Sequence, residues 1–139
     1  MIVILSCGKA KAASIRPARA LYTGCYFRAC LAHALSVSPP GRCLILSAKH
    51  GLLGLDDPIA PYDLRMGRPG SVTPARIAEQ AGRRGLAGPI LSLCGASYNA
   101  ALIAAGLGPI RSPFAGLARD SMGARMALLR SNRGRAPGA

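Results

Sequence analysis

The sequence predicts an α/β fold built on a mainly parallel sheet of about four strands with crossover helices between them. Two observations predict it, and a third points to where its function lies. The segments Ile2–Leu5, Cys43–Ser47 and Pro89–Leu93 are continuous apolar runs rather than alternating ones, the pattern of strands buried on both faces. Helical spacing of apolar residues recurs in the stretches between and after them. Each run also ends in small or polar residues that a buried strand does not require: Ser6-Cys7-Gly8-Lys9, Ser47-Ala48-Lys49-His50-Gly51 and Leu93-Cys94-Gly95.

The elements follow in order. After Ile2–Leu5 comes a basic loop containing Pro17. Thr23 to Ser36 reads as a helix with Phe27, Cys30, Leu31 and Leu35 on one face, stopped by Ser38-Pro39-Pro40-Gly41. The second strand, Cys43–Ser47, leads into residues 51–72, which are rich in Gly, Pro and Asp and lack periodicity. An irregular stretch of that length in a compact domain is usually functional or disordered. Thr73-Pro74 marks an N-cap with proline at the first helical position, and the helix runs to about Gly85. The third strand precedes a helix over Ala96–Gly106, with Tyr98, Leu102 and Ile103 on one side. A short strand is expected at Pro109–Arg111 and a last helix over Leu117–Ser131, with Leu117, Met122, Met126 and Leu129 as its apolar stripe. We expect one domain over residues 1–130 and a flexible basic tail over 131–139.

Composition narrows the function classes. The chain has 139 residues, 50% of them apolar and 17% charged, which excludes a polar disordered chain. No apolar run approaches the roughly 18 residues of a membrane helix. The first residues lack a basic segment before a short apolar stretch, so a secretory signal is not expected. The expectation is a cytoplasmic protein with no membrane partner. Eighteen Lys and Arg stand against five Asp and Glu, giving a net charge of +13. Such a field favours a nucleotide, a nucleic acid or another anionic ligand. Fifteen of these bases are Arg, and a GC-rich codon usage would produce the same excess of Arg, Ala, Gly and Pro. Five cysteines form no CxxC pair, so neither a metal nor a cofactor is expected. Cys25, Cys30 and Cys43 lie in apolar surroundings and read as small core residues.

Parallel sheets bind ligands outside the carboxyl ends of their strands. In the first strand end, Ser6, Gly8, Lys9 and Lys11 suit a phosphate, and Cys7 is a nucleophile or a pocket wall. In the second, His50 suits proton transfer and Lys49 anion stabilisation, with Ser47 and Gly51 beside them. Acids are scarce, and Asp63, next to Tyr62 in the long loop, suits a base or carboxylate nucleophile. Tyr22 and Tyr98 would frame a base or sugar, with Cys94 and Gly95 at the third strand end. The catalytic candidates are therefore Cys7, Lys49, His50 and Asp63. Asp56, Asp57 and Glu79 read as turn or solvated helix residues, His33 as structural, and Arg119 and Arg125 as charges flanking the last helix.

The set Ser6-Cys7-Gly8-x-x-Lys11, Leu21-Tyr22-x-Gly24-x-x-Phe27, Ser47-Ala48-Lys49-His50-Gly51-Leu52-Leu53 and Pro61-Tyr62-Asp63 resembles a largely uncharacterised domain family of bacteria and their phages. Pro113-x-x-Gly116-Leu117 and Gly123-x-x-Met126 resemble its C-terminal pattern. A more distant resemblance, without the matching cysteine and histidine, is to the peroxide-stress YaaA family, described as nucleic-acid binding. The first resemblance implies a Rossmann-like three-layer sandwich and a nucleotide or nucleoside enzyme, in the broad manner of nucleoside deoxyribosyltransferases. The expected function is a small enzyme acting on a nucleotide, nucleoside or nucleic-acid base, with N-glycosidic cleavage or transfer as the reaction. The alternative is a non-enzymatic basic DNA- or RNA-binding protein, or an accessory of nucleic-acid modification.

Overall fold

Ile2, Val3, Ile4 and Leu5 are all buried, and this apolar run forms the central strand of the structure. The structure is a computed structural model that describes residues 1–114 and 122–131. In chain order its first elements are β1 (Ile2–Ser6), β2 (Arg16–Pro17), α1 (Ala18–Leu21), α2 (Cys25–Val37), β3 (Cys43–Ser47) and β4 (Gly51–Gly54). There follow β5 (Pro58–Ile59), α3 (Pro74–Arg83), β6 (Ile90–Ser92), α4 (Ala96–Ala104), β7 (Ile110–Arg111) and α5 (Met122–Ser131).

The fold is mixed α/β. A five-stranded, mostly parallel sheet runs in the order β4-β3-β1-β6-β7. β1 pairs in parallel with β3 (Ser6 opposite Leu46) and with β6 (Ile4 opposite Ser92), and β6 pairs in parallel with β7. The chain thus leaves β1 for a neighbour on one side and later returns to a neighbour on the other. In parallel sheets this reversal opens a crevice at the strand's carboxyl end.

Strand alternation divides the core into two clusters. Val3, Leu5, Ile45 and Leu91 pack with Phe27, Cys30 and Ala34 of α2 and Leu129 of α5. Ile2, Ile4, Leu44 and Ile90 pack with Ile77 and Ala81 of α3 and Leu102 of α4. Each such buried aliphatic side chain contributes about 1.5–3 kcal/mol. α3 begins as its sequence dictates: Thr73 Oγ1 accepts the Arg76 N–H at 3.2 Å, and Pro74 takes the first helical position.

Several expectations need correction. Residues 51–72 are not wholly irregular: Gly51–Gly54 forms β4, antiparallel to β3, and Pro58–Ile59 pairs with Arg16–Pro17. β4 makes the sheet five-stranded rather than about four. Its tight hairpin is possible because Gly51 has φ +78, a conformation that disfavours a Cβ. Cys25, at the first turn of α2, is exposed, whereas Cys30 and Cys43 are buried. Ala34 rather than Leu35 completes the buried face of α2, and Ile103 of α4 points to solvent. Leu117, Arg119 and the tail over 132–139 lie outside the described residues. No helix among the described residues is long and apolar enough to cross a membrane.

Candidate functional site

The site is built where β1 ends. Cys7 continues the strand for one more bond, its N–H donating to the Leu46 C=O at 3.1 Å. The chain then loops out through Lys9 and returns, with the Ala12 N–H bonded to the Leu21 C=O (2.8 Å) and the Thr23 N–H to the Ala10 C=O (3.0 Å). This ribbon brings Lys11 opposite Tyr22 in an isolated antiparallel bridge. The long loop is tied down from the other side, where the Val72 N–H donates to the Ala48 C=O at 2.7 Å.

Between these loops lies a cavity of about 390 Å3. Cys7, Gly8 and Tyr98 form its inner wall. Cys7 Sγ lies 3.3 Å from Tyr98 Oη, which joins the end of β1 to the first turn of α4. Among the described residues, Lys9, Lys11, Arg65 and Arg68 line it as cations, against the single carboxylate of Asp63. A more open hollow of about 400 Å3 is lined by Lys9, Asp63, Leu64, Arg65 and Arg68 alone. The other described acids are engaged elsewhere: Asp56 with Arg19, Asp57 with Arg84, and Glu79 with Arg76 and Arg83.

Beside the cavity is a chain of hydroxyls. Ser47 is fully buried, and its Oγ accepts the N–H groups of Lys49 (3.2 Å) and His50 (3.0 Å). With both lone pairs engaged, its proton is directed to Tyr62 Oη, 2.6 Å away. Tyr62 Oη is also 2.6 Å from Tyr22 Oη. Burial raises the Tyr62 phenol far above its ordinary range, and Cys7 adds to the shift. Burial likewise raises Tyr98, with Cys7 contributing again, and pushes Tyr22 up to about 12. All three phenols therefore stay protonated at neutral pH and act as neutral hydrogen-bonding groups. The Lys11 ammonium stands 4.7 Å from the Tyr62 ring centre and 5.8 Å from that of Tyr22, within cation–π range.

The predicted site residues separate into layers. Cys7, Gly8, Lys9, Lys11, Asp63 and Tyr98 line the cavity. Tyr22, Ser47 and Tyr62 form the hydroxyl chain beside it, and half-buried Ser6 ends β1. His50 does not line the cavity. Its ring meets Tyr62 edge-on at 5.5 Å, and burial followed by the Lys49 charge lowers its pKa. Lys49 is exposed in the β3–β4 turn. Gly51 belongs to the hairpin, where an added Cβ would collide with Gln80 Oε1. Cys94 is a core residue: its Sγ points to the Ile4 C=O at 3.5 Å, and burial pushes its thiol up to about 12. Gly95 is the N-cap of α4 and bonds the Asn99 N–H through its carbonyl. Arg125 is not a solvated charge: it stacks 5.1 Å from the Phe114 ring centre and reaches Tyr26 Oη. Among the described residues, no group of three His, Cys, Asp or Glu side chains is placed to hold a metal ion.

Several residues of the site were not foreseen, among them Leu64, Arg65, Met66, Arg68 and Ser97 of the lining and Gln80 behind it. Arg65 and Arg68 enter through a turn closed by the Arg68 N–H and Arg65 C=O at 3.2 Å, with Gly67 at φ +88. The Arg-Met-Gly-Arg spacing inside a loop too long to be inert was the available signal. Gln80 reaches from α3 to donate to the His50 C=O and accept the Leu52 N–H, each at 2.8 Å, and so fixes the β3–β4 turn.

A family model described as a family of unknown function (DUF6884) matches residues 2–131. The chain belongs to this family. The DUF6884 match takes in every element from β1 to α5, and with them the whole cavity and the hydroxyl chain. No curated protein and no solved structure gives a significant match to the chain.

Proposed function

We propose that this protein is a small enzyme acting on a nucleotide, nucleoside or nucleic-acid base, with N-glycosidic cleavage or transfer as its reaction. The observation that carries this reading is one carboxylate, Asp63, sharing a cavity with four cations, a thiol and a phenol at the end of a central parallel strand. Helices packed on both sheet faces support a Rossmann-like three-layer sandwich, an architecture in which such crevices take nucleotides. In hydrolysis, Asp63 takes a proton from water as the water oxygen bonds to the anomeric carbon. The C–N bond breaks, its electron pair leaves with the base, and solvent returns a proton to that base while Tyr98 keeps its own and hydrogen-bonds. Lys9, Lys11, Arg65 and Arg68 are the cations available to the anionic part of the substrate, and Tyr98 flanks the base or sugar. His50 meets the Tyr62 ring edge-on and acts through it as a positioning residue.

The test is incubation with nucleosides and nucleotides, with free base measured by chromatography, alongside thermal shifts at low and high salt. A ligand at about 100 times its Kd adds roughly 2.7 kcal/mol of stability. Base release that disappears in Asp63→Asn supports the enzyme; release that survives it rejects the carboxylate mechanism. The net charge of +13 favours a second reading, a non-enzymatic nucleic-acid-binding or modification-accessory protein. That reading requires stabilisation by polyanions only, falling steeply with salt.

A further inference from the structure

We infer that the ligand of this cavity is a phosphate monoester whose phosphate is held at the mouth by Lys9, Arg65 and Arg68, with its uncharged part directed inward to Cys7 and Tyr98. The inference rests on the nucleotide reading above and narrows its substrate from nucleosides in general to nucleoside 5′-phosphates. Three features of the structure support it. First, Lys9, Arg65 and Arg68 line both the inner cavity and the outer hollow, whereas Cys7 and Tyr98 line only the inner one. Lys9, Arg65 and Arg68 therefore stand where the two spaces join, while Cys7 and Tyr98 lie deeper beside Lys11, whose ammonium already donates to the Lys9 C=O at 3.0 Å.

Second, these cations lack carboxylate partners. Among the described residues, neither Lys9, Arg65 nor Arg68 forms an ion pair, although three of the scarce acids pair with arginines elsewhere. Among the described residues Asp63 is the one acid at the cavity, so their positive charges there outnumber the negative. A dianionic phosphate monoester offsets more of that charge than a monoanion does, and its oxygens accept both planar guanidinium donors and an ammonium.

Third, the Arg65–Arg68 turn is locally fixed. Besides its closing bond, the Ser71 N–H donates to the Arg68 C=O at 3.0 Å, and Ser71 Oγ accepts the Gly67 N–H at 3.3 Å. A turn held this way sets the backbone positions of the two arginines, which reduces the part of the ordering cost that falls on the loop. A cavity of about 390 Å3 suits a mononucleotide-sized ligand.

The experiment is calorimetric titration of the full chain with nucleosides, their 5′-monophosphates, inorganic phosphate and a short 5′-phosphorylated oligonucleotide. It is run on the wild type, on Arg65→Ala/Arg68→Ala, and on Arg76→Ala/Arg83→Ala, which removes the same charge from the outer face of α3. We expect at least one monophosphate to bind about tenfold or more tighter than its nucleoside, the scale of a charge-assisted hydrogen bond. That preference should fall below about threefold in the Arg65/Arg68 variant and persist in the α3 variant. If the phosphorylated strand binds tighter than the free nucleotide and needs the same two arginines, the phosphate site stands and its source is a strand end. Nucleosides binding as tightly as their monophosphates would overturn the inference while leaving the nucleoside reading in place. If only the oligonucleotide binds, and both variants weaken it equally, the inference and the nucleotide reading fall together. Circular dichroism separates a misfolded variant from a binding defect, and single Arg65→Lys and Arg68→Lys changes then carry the comparison.

Discussion

The Tyr62 hydroxyl sits 2.6 Å from Ser47 Oγ, so the long loop is bonded directly to the end of a buried strand. Ser47 in turn holds the backbone of Lys49 and His50. One serine thus couples the hairpin turn to the loop that carries Asp63. Tyr62→Phe removes the hydroxyl shared with Ser47 and Tyr22 and should lower stability by about 1–2 kcal/mol. Ser47→Ala strands two N–H groups as well and should cost about 1–3 kcal/mol. Urea denaturation of both variants checks the order, and a Tyr62→Phe cost equal to or greater than that of Ser47→Ala would contradict it.

Gly51 and Gln80 support the same turn from the other side. Gly51→Ala meets two penalties: a positive φ, worth roughly 1–2 kcal/mol for a residue with a Cβ, and the collision with Gln80 Oε1. Gln80→Ala relieves the collision but leaves the His50 C=O and the Leu52 N–H without their partner. A double-mutant cycle should therefore show the pair losing less stability than the sum of the single changes. Strict additivity would mean that the glutamine simply moves aside.

The parallel strands were legible because burial on both faces leaves an unbroken apolar run, as in Ile2–Leu5 and Cys43–Ser47. β4 was not, because Gly51-Leu52-Leu53-Gly54 is short, bracketed by glycines, and acquires its partner only through the hairpin. The strand-end rule pointed to Cys7, Lys9, Lys11 and Tyr98, which line the cavity. It misdirected at Cys94, because the Leu93 N–H still bonds to the Ile4 C=O, so the chain has not yet left the sheet. Arg65 and Arg68 depend on how the loop folds back to Ala48, a long-range contact that no local pattern encodes.

The shifted histidine gives a pH dependence of defined sign. Burial, then Lys49, lowers the pKa of His50 from its ordinary 6.5, so the unfolded chain binds its proton more readily. The associated stability is fully present above pH 6.5 and is lost as pH falls through that value, until His50 also protonates in the folded state. The urea midpoint should drop between about pH 7.5 and about pH 5.5, and His50→Gln should flatten the drop. An unchanged slope in that variant would assign the pH dependence to other groups.

The carboxylate and the thiol make opposite predictions for the chemistry. Both line the cavity, yet only Asp63 can take a proton from water or attack an anomeric carbon as a carboxylate. Asp63→Asn keeps the shape and should cost about 100-fold or more in turnover. Cys7→Ser keeps a donor opposite Tyr98 Oη and should cost less than about tenfold. Steady-state rates of base release, measured at two salt concentrations, separate three cases. Loss with Asp63 alone supports glycosidic chemistry with a carboxylate. Loss with Cys7 alone transfers the nucleophile to β1 and rejects it. Absence of turnover in the wild type, with oligonucleotide affinity falling steeply with salt, makes the +13 charge the functional feature and the cavity incidental.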